Sequence, residues 1–234
     1  MSTSTYLELC QETRRVCGIS GSGPASVTGQ TGMLEKLVNW VADADVVIQR
    51  TWINWDFLYV TSYSVATVQG SAEYQKPATL GAWDKDTLFL NRGLSTNQRL
   101  FEIDYRQYFS TMANAPITNA KPGNFILPPS KNLTLYPTPD AVYTLTANYW
   151  RAPLRMTGNS DTSLIPEAYI RAIIARAKMF YAIDQEATEI YNEAFAEFTI
   201  TMTQLQSDQL PGWQGYNLSD DVQLVVSTGE FGDY

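Results

Sequence analysis

Apolar residues fall on a helical period in three parts of the chain. Leu7, Cys10, Val16 and Cys17 share one face of a helix predicted from Tyr6 to Val16, with Thr5 placed to cap it and Gly18 to end it. After the Gly/Ser/Thr-rich stretch GISGSGPASVTGQTG, a second helix is predicted through Leu34, Leu37, Val38, Val41, Ala44, Ile48, Trp52 and Trp55, capped by Thr28 or Thr31. Its far end gathers Trp52, Trp55, Phe57 and Tyr59, as an anchor in a core or at a subunit contact would. In the last third, Pro166 stands at an N1 position with Ser163 as cap. Ile170, Ile173, Ile174, Ala177 and Tyr181 then form a helix face that Asp184 interrupts, and Ile190, Tyr191, Ala194, Phe198, Met202 and Leu205 continue as a second helix. Together these predict an αα-hairpin.

Between these helices the period drops toward 2. Strands are predicted around Tyr63 to Thr67, Thr87 to Leu90, Asn124 to Leu127, Leu133 to Tyr136 and Val142 to Trp150, separated by turn residues such as Gly70, Gly81, Gly93, Pro122-Gly123 and Pro137. Leu100 to Met112 is the one stretch here with helical spacing. The expected fold class is therefore α+β: a helical bundle, made of a long N-terminal helix plus a C-terminal αα-hairpin, with an inserted small, mainly antiparallel β domain and an extended C-terminal tail. The boundaries read as 1–60 and 161–206 for the helices, 61–160 for the β-rich unit and 207–234 for the tail.

Composition narrows the chemistry. With 234 residues, 44% hydrophobic and 12% aromatic, the chain is long enough for a real core, and no apolar run approaches the ~20 residues that span a bilayer. The N-terminus shows neither the basic nor the apolar region of a secretion signal. There is no histidine, which removes the commonest general base and transition-metal ligand. Carboxylate chemistry remains open, and Asp84 and Asp86, Glu102 and Asp104, and Asp43 with Asp45 form i, i+2 pairs that read foremost as solvated edges. Asp84, Asp86, Glu102 and Asp104 are the candidates if the chain were instead a carboxylate-dependent glycosidase acting on cell walls. Gly18, Gly21 and Gly23 follow no strand and precede no GK[ST], so they read as a helix connection rather than a phosphate loop. Cys10 and Cys17, ~10 Å apart along a helix, cannot bridge each other and are expected to be small buried apolar residues. No cofactor or metal is expected.

Charge is segregated. Residues 61–160 carry nine Lys/Arg and six Asp/Glu, whereas residues 161–234 carry three and twelve, with no basic residue after Lys178. The acidic end disfavours nucleic acid; it serves solubility or steers toward a basic protein surface. At that end VQLVVS, Val222 to Ser227, is a β-prone hexapeptide with no local strand to pair with. It is expected to add to a sheet edge of another subunit or to fold back on its own sheet, and the 28 residues 207–234 reach ~90 Å when extended. Trp213, Tyr216, Val222, Leu224, Val225, Val226, Phe231 and Tyr234 are the candidate partner-binding residues.

The segments GISGSGPASVTGQTGMLEKLVNWVADADVVIQ, WINWDFL, LTLYPTPDAVYTLTANYWRAP and TSLIPEAYIRAIIARAKMFYA, in this order from Gly18 to Ala182, resemble tailed-phage head-to-tail adaptor proteins. The resemblance implies a non-enzymatic virion protein at the head-tail interface, assembled in the host bacterial cytoplasm. It further implies a homo-oligomeric ring of twelve copies between the portal protein and a downstream tail or nozzle protein; passive passage of DNA through the lumen is compatible with such a ring, and no membrane partner is expected. The C-terminal extension would then dock on the portal. Another ring-forming tail or tail-tube protein is the alternative.

Overall fold

The computed structural model describes residues 4–91, 97–114, 116 and 118–210. Helix α1 (Tyr6–Val16) begins with a capping box: the Thr5 hydroxyl accepts from the Glu8 amide while the Glu8 carboxylate accepts from the Thr5 amide. It stops before Gly18, whose φ of +65° suits a residue without a Cβ. Leu9 and Cys10 face the core.

Helix α2 (Gly32–Thr51) has Thr31 at its N-cap position, although the Thr31 side chain makes no capping hydrogen bond. The helix is shorter than its apolar period predicts. Trp52 has extended backbone, and the chain turns so that Trp55 folds back, fully buried, with its indole Nε1 donating to the Ile48 carbonyl at 3.2 Å. That bond satisfies one of the acceptors that the end of a helix leaves open, and the indole stacks on Phe57 at 5.3 Å.

Two sheets follow. The first is ordered β1 (Tyr59–Ala66), β9 (Thr144–Arg151), β4 (Phe89–Asn91), β5 (Gln98–Arg99), all antiparallel. The short β3 (Leu80–Trp83) pairs with β9 along Tyr149 to Arg151, beyond the stretch that β4 occupies. The second sheet is β2 (Glu73–Tyr74), β8 (Leu133–Tyr136), β7 (Asn124–Ile126), β6 (Phe101–Ile103), in which only β6 and β7 run parallel. The stretch expected to be helical from Leu100 is thus divided. Phe101 to Ile103 pair as a strand, and helix α3 (Tyr105–Thr111) starts where the Asp104 carboxylate accepts from the Arg106 and Gln107 amides. An aspartate N-cap fixes the start of a helix, so the upstream aromatics are free to alternate.

A 3-10 turn at Glu167–Tyr169 leads into α4 (Ile170–Asp184), and α5 (Thr188–Gln209) returns along it. Pro166 stands just before the 3-10 turn rather than at the first position of α4. Ser163 does not cap α4 as its sequence position predicts, because it is buried and its hydroxyl donates to Asp45 on α2. Helix α5 runs past Ser207 to Gln209, and Leu210 is buried after it.

Residues of α1, α2, α4 and α5 share one apolar core, including Leu9, Val41, Ile48, Ile173, Ala177 and Leu205. The sheets close a second core around Leu88, Leu90, Phe125, Leu133 and Leu145. Strand β9 serves both: Ala147 and Tyr149 lie in the sheet core, while Trp150 packs against the helical one. Arg176 on α4 adds to the hairpin by lying 4.8 Å from the Phe180 ring centre and 5.7 Å from that of Phe198.

Candidate interaction surfaces

The eight candidate partner-binding residues, Trp213, Tyr216, Val222, Leu224, Val225, Val226, Phe231 and Tyr234, lie outside the described residues. The four carboxylates considered for hydrolysis each hold a neighbour. Asp84 accepts from the Tyr59 hydroxyl at 2.5 Å, Asp86 pairs with Arg99, Glu102 pairs with Lys85 at 2.7 Å, and Asp104 caps α3. In the glycine-rich connection the Arg14 guanidinium donates to the Ile19 and Gly21 carbonyls, and the Gln11 amide donates to the Pro24 carbonyl at 2.9 Å, so the loop is tied down onto α1. Cys10 and Cys17 are free and buried. Burial pushes their thiols up to about 12 and about 11.

The aromatic end of α2 divides into two roles. Trp55 anchors the core, whereas Trp52 and Ile53 remain 46% and 60% exposed. They border a cleft of about 330 Å³ between the end of α2, β3 and the end of β9, floored by Leu58 and Leu80. Three cations rim it: Arg50, Lys131 and Arg151. Lys131 is tethered through Nζ to the Gly81 carbonyl at 2.6 Å, while neither Arg50 nor Arg151 forms an ion pair among the described residues. Gly81 belongs to the floor because a Cβ there would lie 2.7 Å from the Arg151 carbonyl oxygen. The cations come from α2, the β7–β8 region and β9, so sequence patterning gave no signal that they converge.

A second surface lies at the turn between α4 and α5. Ile183 is 60% exposed there, with Glu186 beside it and Glu189 in the first turn of α5, both exposed and without an ion pair among the described residues. Asp184, by contrast, pairs with Lys36 near the start of α2 at 2.5 Å, and the ammonium holds its carboxyl below the usual range. On α5 the exposed apolar residues continue with Phe195 and Ile200.

Behind the first surface sits an unpaired buried carboxylate. Asp45 on α2 is fully buried, and it accepts from the Ser163 hydroxyl at 2.6 Å and from the Gln49 amide at 2.8 Å. Burial raises its pKa to about 6 against the lowering effect of both hydrogen bonds. Nearby, Asp43 pairs with Arg155. Among the described residues no three His, Cys, Asp or Glu side chains are grouped as a metal ion would require, and no helix is long and apolar enough to cross a membrane.

Each surface thus sets exposed apolar side chains beside exposed charges, Arg50 and Arg151 at the end of α2 and Glu186 and Glu189 at the α4–α5 turn. No curated protein matches the chain. The family model described as SU10 adaptor protein matches residues 4–217, which spans both cores and both surfaces, and the chain belongs to this family of phage head-to-tail adaptors.

Proposed function

We propose that this protein is a structural virion component that assembles as a ring, twelve copies by the resemblance described above, and joins the portal to the tail, with the C-terminal segment after Leu210 docking on the portal. In this reading the chain works as four units, with the helices of 1–60 and 161–206 packed as a bundle, the sheets of 61–160 facing the downstream tail or nozzle protein, and 207–234 reaching the portal. DNA passes through the lumen without being read, and assembly takes place in the host bacterial cytoplasm. The observation that carries the reading is the adaptor family match over nearly all of the described chain. The separation of charge supports it, because a basic middle and an acidic end let identical, net negative copies attract one another side by side.

The test is mass photometry of the protein mixed with the portal of its own phage, full chain against a chain ending at Leu210. That end point keeps the buried Leu210 in the helical core, which an earlier cut would remove. Multi-copy binding that disappears on truncation is the expected result. Binding that survives truncation moves the portal contact to the described helices, and absence of binding by the full chain points to a tail-tube role instead.

A further inference from the structure

The basic cleft and the acidic turn are complementary, and one molecule cannot bring its own pair together. The turn is fixed at the start of α2 by the Asp184–Lys36 pair, whereas the cleft lies at the other end of that helix, beside Arg50. Fourteen residues of helix separate Lys36 from Arg50, which is about 21 Å at 1.5 Å per residue. Both ends are held by the same packed core, so the turn of one copy can fill only the cleft of another.

Resting on the ring reading above, we propose that the α4–α5 turn of each copy seats in the cleft of the next, with Ile183 entering between Trp52, Ile53 and Leu80, and with Glu186 and Glu189 facing Arg50 and Arg151. The chemistry matches at each level. An exposed aliphatic side chain meets an apolar floor, and two carboxylates meet two guanidiniums, all four without an ion pair among the described residues. The contact is heterologous, since it uses different patches on the two partners, and such contacts propagate around a circle when the rotation closes. Apolar seating supplies the attraction, and the charges set which end meets which.

Two exposed charge-reversed variants test this on the portal: a cleft variant carrying Arg50→Glu and Arg151→Glu, and a turn variant carrying Glu186→Arg and Glu189→Arg. Each alone is expected to lose complete rings by roughly tenfold or more, read as copies per portal by mass photometry. Mixed in equal amounts they should regain rings, because every junction of an alternating ring then joins opposite charges. Ile183→Asp, which disrupts the apolar seat without touching the cleft, should also lose rings. The proposal is overturned if either charge variant assembles like the wild type, or if the mixture fails to recover while both variants melt as the wild type does. Wild-type protein that places a single copy on the portal overturns the ring reading itself and this contact with it. Wild-type rings indifferent to all three variants leave the ring standing and remove only this contact.

Discussion

Gln49 and Leu154 hold each other in both directions. The Leu154 amide donates to the Gln49 side-chain oxygen at 2.8 Å, and the Gln49 side-chain nitrogen donates back to the Leu154 carbonyl at 3.1 Å. A side-chain amide thus mimics a strand neighbour for the segment that leaves β9, and the same nitrogen also reaches Asp45 at 2.8 Å. Three polar groups converge on one buried glutamine, which pins the link between the sheets and α4 onto the side of α2.

Replacing Gln49 with Leu keeps the bulk and removes these bonds, leaving partly buried backbone groups unpaired. The expected cost is about 1–3 kcal/mol, read as a lower urea midpoint at unchanged slope. A variant as stable as the wild type would show that water replaces the glutamine without loss.

Asp45 makes stability depend on pH. Its pKa in the folded chain, about 6, lies above the ordinary 3.8, so between these values the folded protein binds a proton that the unfolded chain has released. Stability from this group is therefore full below about pH 4 and declines as pH rises through about 6. Asp45→Asn removes the ionisable group and keeps a side chain of the same size between Ser163 and Gln49. Melting temperatures taken from pH 4.5 to 8 should show the variant gaining on the wild type as pH rises, with a plateau near neutrality worth at most on the order of 3 kcal/mol. A gap that stays constant across the range contradicts a buried ionising Asp45.

Cys10 and Cys17 should be inert in the native protein. Their buried thiols titrate far above neutrality, so a chromogenic disulfide reagent at pH 8 is expected to label neither without denaturant and both in urea. Rapid native labelling of either one would mean that α1 opens readily.

Local sequence signals match the structure where a few neighbouring residues decide it. Thr5 and Gly18 bound α1, alternation in Leu133 to Tyr136 gives β8, and the break at Asp184 separates α4 from α5. Signals failed where a distant partner decides. Phe101 shares a helical period with Tyr105 and Tyr108, yet pairing with β7 draws it into a strand. The period through Trp55 is equally misleading, because the indole returns to Ile48 instead of extending the helix. Ser163 looks like a cap until Asp45, buried across the core without a cation, claims its hydroxyl. Strands of two residues such as β2 and β5 carry too little pattern to be seen at all. The cleft was invisible for a related reason: its cations sit in three separate segments, and only the aromatic cluster at Trp52 marked the place. The candidate residues after Leu210 rest on sequence alone.

The position of β9 has a consequence for how the chain is made. Strand β1 emerges from the ribosome early, but its partner, along with that of β3 and β4, is β9, which follows only after the whole second sheet has been synthesised. Until Thr144 to Arg151 appear, three strands wait with open edges, and Trp150 is missing from the helical core. Folding of both cores is thereby tied to one late segment, a high-contact-order arrangement that forms slowly and nearly all at once. Neither core can therefore close before Arg151 has been made.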